Sequence, residues 1–336
     1  MQSSTQLLST ISRLKGVIIM AYNIGDKIAT RDAYGATLVE IGNENENLVV
    51  LDADLAAATK TGMFKKAHPD RFFDCGIAEN NMIGAAVGLA LSGKVPFAAT
   101  FAMFAAGRSY EQVRNSIGYP HANVKIGATH GGITVGEDGA THQCCEDFAL
   151  MRTVPGMTVI CPADAQEARL AVKAAYEMDG PVYLRFGRMA VPVFFDENYK
   201  FEIGKGVKLV DGTDVSIIAN GVEVEQALIA AEKLKAEGIS ASVINMATIK
   251  PLDTELVIEE AKKCGCIVTV EEHSVIGGLG GAVAEALCEA YPVPVVKVGT
   301  EDCFGRSGPA KELLSKFGLD ADAIVAKAKA AIALKK

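Results

Sequence analysis

The stretch 76–104 reads GIAENNMIGAAVGLALSGKVPFAATFAMF. Glu79–Leu91 is a run of mostly small and apolar residues long enough for a helix. Ser92-Gly93 interrupts it, and Pro96–Thr100 follows as an apolar run of strand length. The same alternation extends in both directions. Leu48–Leu51, Val124–Ala128, Met157–Ile160 and Val182–Phe186 read as further strands, and Tyr110–Ile117 and Ala165–Tyr176 as further helices. Strands separated by helices predict an α/β fold with a mostly parallel sheet.

The pattern stops and restarts. Asp196–Lys200 is polar and has neither a helical nor a strand period, so 196–205 reads as a linker. Beyond it, Val215–Ala219, Ser240–Asn245, Ile267–Glu271 and Val293–Val298 alternate with helical runs at Val222–Glu237, Leu256–Lys263 and Ala282–Ala290. Ala321–Leu334 ends the chain as an Ala/Lys helix. Two tandem α/β domains with mostly parallel sheets are expected, at 24–195 and 206–336, after an N-terminal extension at 1–23. Residues 1–19 carry no periodicity and are expected to be peripheral, with Met20 as a candidate start of translation.

Bulk properties exclude some functions. The chain has 336 residues, 49% hydrophobic and 22% charged, which suits a globular protein with full cores. A net charge of -8 gives no basic footprint for nucleic acid. No apolar run approaches the roughly 20 residues that span a bilayer. Arg13 and Lys15 come too late for a signal peptide, whose charges precede its apolar stretch. Cysteines at 75, 144, 145, 161, 264, 266, 288 and 303 form no CxxC pair and read as reduced thiols in a cytoplasmic protein.

Four segments carry chemistry, and each follows or ends a strand, where parallel sheets bind ligands. Glu79 opens a helix whose small, apolar composition predicts burial, and a buried carboxylate needs a partner. A plain helix N-terminal acid is the alternative. Phe101 and Phe104 are either core or a stacking platform for a planar heterocycle. The loop Thr129-His130-Gly131-Gly132 and the run Gly136–Gln143 hold two of the five histidines with two acids, and Gly-rich polar loops at strand ends usually touch substrate. Arg185 and Arg188 end a strand, as anion ligands or as surface cations.

Taken in order, these segments resemble the pyrimidine-binding domain of transketolases. Ala53-Asp54-Leu55, Gly76–Glu79, Thr100–Phe104, His130, Gly136–Gln143, Gly180-Pro181 and Arg188 match the family pattern, and Arg31 lies the right distance before Asp54. Glu271-Glu272-His273 and Gly277–Gly281 resemble the family's C-terminal domain, so the likeness covers about residues 24–330.

The resemblance implies a transfer of a two-carbon ketol unit from a ketose phosphate to an aldose phosphate, within the pentose phosphate pathway, using thiamine diphosphate. It implies that Glu79 hydrogen-bonds the aminopyrimidine ring and that Phe101 and Phe104 pack on it. Arg31, His130 and Arg188 match substrate-phosphate contacts. Asp138 and His142 match contacts to substrate hydroxyls, with His142 and Glu79 the catalytic pair. The family's Gly-Asp-Gly motif, followed by Asn-Asn, does not occur in this chain. The chain is therefore expected to be the C-terminal section of a split enzyme. An N-terminal partner section would supply the diphosphate-binding domain and a Mg or Ca ion, in a dimer of heterodimers. No metal ligand is expected here. Glu79 is expected to lie at that interface, exposed when this chain is alone. Two positions depart from the family: Ala58 stands where Ser is common, and Gly107 where Tyr is common. A deoxyxylulose-phosphate synthase and the β subunit of a 2-oxo-acid dehydrogenase share these domains and stand as alternatives.

Overall fold

A computed structural model describes residues 11–14, 17–20 and 22–335. Of the N-terminal extension, β1 (Ile11–Leu14) pairs antiparallel with β2 (Val17–Met20), so part of the stretch read as aperiodic forms strands. The rest of 1–19, and the peripheral placement expected for it, lie outside the described residues.

Two sheets dominate. After β3 (Lys27–Ala29) come β4 (Leu48–Asp52), β5 (Phe72–Asp74), β6 (Val95–Phe101), β7 (Lys125–Thr129), β8 (Thr158–Ile160), β9 (Val182–Phe186) and β10 (Ala190–Pro192). The second half adds β11 (Val207–Val210), β12 (Val215–Ala219), β13 (Ala241–Asn245), β14 (Thr248–Lys250), β15 (Ile267–Ser274) and β16 (Val295–Thr300). The larger sheet has seven strands in the order β14-β8-β9-β7-β6-β4-β5 and the smaller has five, β11-β13-β12-β15-β16. All pairings are parallel except at one edge of each, where β14 and β11 run antiparallel. The central strands β4, β7 and β9 are buried at every position, as expected of parallel strands covered on both faces by helices.

The sheets are not independent. The strand β14, which belongs by sequence to the second half, closes the edge of the first sheet against β8. Residues 196–205 carry little regular structure but are strapped down. Tyr199 stacks on Phe195 at 3.7 Å and donates its hydroxyl to Glu167, while Phe201 and Ile203 pack against the first domain's core.

A buried charge fills the seam. Arg185, 3% exposed, lies 3.2 Å from the fully buried Asp147, which also accepts the Tyr183 hydroxyl. Its Nη2 donates to the carbonyls of Cys144 and Glu272, one from each domain, and its guanidinium lies over Phe148. Glu272 reaches back to accept from the Thr134 amide. Gly132 sits beneath that carboxylate at φ 77°, and a Cβ there would strike Glu272, so only glycine fits. Glu271, from the same triplet, accepts from the Leu279 and Gly280 amides and caps the helix Leu279–Ala290.

Arg185→Met keeps the apolar stem but strands Asp147 without its cation. Removing one member of a buried pair costs about 3–5 kcal/mol. Equilibrium urea unfolding should show a loss of that size. A loss under about 1 kcal/mol would mean that the seam does not depend on this ion pair.

Candidate active site

In the larger sheet, β9, β7, β6 and β4 are neighbours, and Phe101, Thr129 and Phe186 share one register line at their carboxyl ends. The chain segments leaving this edge carry the candidate residues. The local backbone is unusual. Asp54, Lys60 and His130 adopt φ of 63°, 71° and 57°, and non-glycine residues in this region concentrate at functional sites.

Aromatic rings form the floor. Phe101 ends β6, and the chain then enters a π-helical turn, Met103–Arg108, a form that recurs at functional sites. Phe104 stacks on Phe101 with centroids 5.9 Å apart and planes at 13°. The His130 ring lies on Phe101 at 3.8 Å. His142 stands edge-on at 5.5 Å from Phe104 and 6.2 Å from Phe101. Its Nδ1 is 2.9 Å from the Thr141 hydroxyl.

Beside the rings lies a cluster of cations. Arg31 Nη1 is 2.8 Å from His130 Nε2. A guanidinium can only donate, so Nε2 must accept, and the ring proton sits on Nδ1, which donates to Thr129 Oγ1 at 2.9 Å. Burial first, and then the charges of Arg31, Arg188 and Lys60, hold the His130 pKa down to about 3. The imidazole is thus neutral, and the positive charge belongs to the three bases around it. Arg31 also donates to the Ala58 carbonyl at 3.0 Å, a backbone contact that the Ser-to-Ala departure leaves intact. That carbonyl is fixed through the buried Asp52, which accepts from the Leu55 amide and from the hydroxyls of Thr59 and Thr61 at 2.6–2.8 Å. Arg188 lies on the exposed Glu137 at 2.8 Å and donates to the Val135 carbonyl. Lys60, paired with Asp32 at 2.9 Å, was missed by sequence reading, since one Lys in an Ala/Thr loop carries no pattern.

Glu79 is not exposed, contrary to expectation. Its side chain is 2% accessible because Arg108 covers it. One Arg108 nitrogen, Nη1, donates to both carboxylate oxygens at 2.9 Å, and the guanidinium lies 4.7 Å over the Phe104 ring. Sequence reading missed Arg108 as well. Its signal is a basic residue in an Ala/Gly turn four positions after Phe104. Glu79 and Phe104 together offer a hydrogen-bond acceptor beside an aromatic face, occupied here by the flat, N–H-bearing guanidinium of Arg108.

The helix Glu79–Leu91 was expected to be buried and is so on one face only. Met82, Ile83 and Ala86 are buried, whereas Asn81, Gly84, Ala85, Gly88 and Leu91 are exposed. The structure brings together Glu79, Phe101, Phe104, His130, His142 and Arg31, with Arg188 near enough for its charge to bear on His130. Asp138 stands exposed on its loop and hydrogen-bonds none of them among the described residues.

Comparison with known proteins gives the family. Residues 26–193 match the family model of the transketolase pyrimidine binding domain and 204–324 that of the transketolase C-terminal domain. A protein of Methanocaldococcus jannaschii named as a transketolase C-terminal section is 53% identical over 88% of this chain and 93% of its own. A 6-deoxy-6-sulfo-D-fructose transketolase subunit of Clostridium sp. is 46% identical over 88% of this chain and 92% of its own. Among solved structures, a split-gene transketolase described as an inactive β4 tetramer superposes with a TM-score of 0.87 at 56% identity, covering 92% of this chain and all of that one. The chain belongs to the thiamine-diphosphate-dependent transketolase family, of which it carries the pyrimidine-binding and C-terminal domains.

Proposed function

We propose that this chain is the catalytic C-terminal subunit of a split transketolase, which moves a two-carbon ketol unit from a ketose phosphate to an aldose phosphate. The observation that carries this reading is one sheet edge holding a buried carboxylate over an aromatic floor, with a cluster of cations beside it. Thiamine diphosphate, when bound, supplies the carbon nucleophile that side chains lack. Glu79 would accept a hydrogen bond from the aminopyrimidine ring nitrogen and hold the proton there, while Phe101 and Phe104 would keep the ring dry and flat. Arg31, Lys60 and Arg188 suit the substrate's anionic end. Exposed ion pairs such as Arg188–Glu137 are worth only about 0–1 kcal/mol, so a phosphate readily replaces Glu137. His130 Nε2 is committed to Arg31, which leaves it a positioning role. His142 Nε2 has no partner among the described residues, and its ring lies beside Phe104 and Phe101, where it suits a substrate hydroxyl. Asp138 would join it from the loop.

The partner in this reading is an N-terminal transketolase section that holds the diphosphate through Mg or Ca. The relatives named as sections or subunits support it, as does the half-exposed apolar helix Glu79–Leu91, which is suited to an interface. Self-association would then complete a dimer of heterodimers. We assign the reaction to the cytoplasm and to the pentose phosphate pathway. The sulfo-sugar named for one relative leaves the substrate's anion as phosphate or sulfonate, since both suit a site read by charge.

Reconstitution tests the function. With an N-terminal section and thiamine diphosphate, the pair should convert xylulose 5-phosphate and ribose 5-phosphate, and neither chain should do so alone. Glu79→Gln is nearly isosteric but cannot hold the proton, and should cost about 10²–10⁴-fold in turnover and slow cofactor C2 hydrogen–deuterium exchange. Exchange at the wild-type rate would reduce Glu79 to a helix-end acid, and turnover of pyruvate alone would indicate an oxo-acid enzyme.

Arg31→Ala and Arg188→Ala should each raise KM for the phosphorylated sugar about ten- to a hundredfold, the worth of a charge-assisted contact of roughly 1.5–3 kcal/mol, with smaller changes in kcat. Unchanged KM in both would place the anion elsewhere.

His130 gives a pH signature. The unfolded imidazole titrates near 6.5 and the folded one near 3, so between these values the unfolded state binds more protons. Above pH 6.5 the group contributes no pH dependence, and stability falls as pH drops from 6.5 toward 3. An NMR titration should find the His130 ring neutral down to pH 4. Protonation near 6.5 would mean that Nε2 is not Arg31's acceptor.

A further inference from the structure

The cover over Glu79 is chemically specific. A guanidinium is flat, delocalised and rich in N–H donors, with no acceptor. Arg108 uses those properties in two ways at once, donating at 2.9 Å to both Glu79 oxygens and lying 4.7 Å over the face of Phe104. An aminopyrimidine seated for catalysis needs the same carboxylate and the same aromatic face. With Arg108 donating to both oxygens and lying over that ring, the guanidinium stands where the heterocycle would.

We propose that Arg108 is the resident occupant of the heterocycle seat: it stands in for the cofactor's aminopyrimidine in the unassembled chain and must leave before the ring can enter. The inference rests on the reading of Glu79 and Phe104 as that seat. It accounts for the 2% exposure of Glu79 in a chain on its own, because Arg108 both shields the carboxylate and donates to its two oxygens. It also explains how the seat can open. Arg108 is 48% exposed, so its side chain can rotate into water without moving the backbone. It ends the π-helical turn Met103–Arg108, one residue after Gly107, where the family commonly carries Tyr. A stand-in lowers the apparent affinity for the ring by the fraction of time that it occupies the seat. Premature loading of the isolated chain is thereby suppressed, and the new contacts of the assembled site supply what displaces it.

The test uses the full chain alone and 4-amino-5-hydroxymethyl-2-methylpyrimidine, followed by ligand-detected NMR. Arg108→Gln should bind this ring about five- to tenfold more tightly than wild type. Arg108→Lys, which keeps the charge and loses the plane, should fall between them. In Arg108→Ala, added methylguanidinium should lower ring affinity back toward the wild-type value, a rescue that a merely structural role would not give. Thermal midpoints taken alongside show whether each variant is folded. Equal or weaker binding by a folded Arg108→Gln or Arg108→Lys, or no effect of methylguanidinium, would overturn the stand-in. If at the same time Glu79→Gln still abolishes ring binding, the seat survives and only the role of Arg108 falls. If no variant binds the ring and Glu79→Gln changes nothing, the seat and the stand-in fall together.

Discussion

The site depends on a single buried cation. Arg185 lies in the seam between two sheets, where Asp147 and the two carbonyls that it ties compensate its buried charge. Those contacts immobilise the chain from 130 to 149. Glu272 holds the Thr134 amide, Gln143 donates to the Ile133 carbonyl and, across the seam, to the Arg306 carbonyl, and the Ala149 amide meets His273. His130 and His142 sit on this clamped loop, far apart in sequence order from Phe101 yet packed on the same rings. The second domain thus shapes the site without supplying a residue to its floor. Its triplet Glu271-Glu272-His273 anchors a helix and a loop.

Charge is distributed at this edge according to what must stay and what must move. The deep pairs, Arg185–Asp147 and Arg31–His130, are held further by backbone carbonyls and by the Tyr183 and Thr129 hydroxyls. The shallow pairs, Arg188–Glu137 and Arg108–Glu79, each leave one half-exposed side chain that can swing away. In the proposed reading, an incoming heterocycle meets Arg108, and an incoming anion meets Arg188 and the part-buried Arg31. The same residue types are used in both layers, and the exposure of Arg108 and Arg188 sets the second layer apart.

Much of this was legible in the sequence, for identifiable reasons. Strands such as Val182–Phe186 and Val215–Ala219, and the helix Glu79–Leu91, have the bounds expected from apolar runs bounded by polar or Gly breaks. The candidate residues were legible because a Gly-rich loop, paired Phe and scarce His stand out against an Ala/Val background. What was not legible depends on partners distant along the chain. The strand Thr248–Lys250 is too short to signal by itself and exists because β8 needs an edge partner. The stretch read as one helix at Tyr110–Ile117 breaks into a helical turn and a second π-helical turn, a change of hydrogen-bond register that side-chain period cannot reveal. Lys60 and Arg108 have no motif, and become visible only when Asp32 and Glu79 are seen opposite them.

The burial of Glu79 shows where composition stops being informative. A helix built from Gly, Ala, Val and Leu signals that something covers it, and does not say what. Sequence reasoning assigned that cover to the fold for the helix and to another chain for the carboxylate. The structure overturns the second assignment and meets the first on one face only. The carboxylate is covered from within, by Arg108, and the face carrying Gly84, Gly88 and Leu91 is left open. A charge that folding withdraws from water cannot wait for an assembly partner, because its desolvation must be compensated as soon as the chain folds. An apolar patch can wait, since water against it costs only about 25 cal/mol per Å². A subunit that folds before it assembles will therefore satisfy its buried charges internally and leave its apolar surface for the interface.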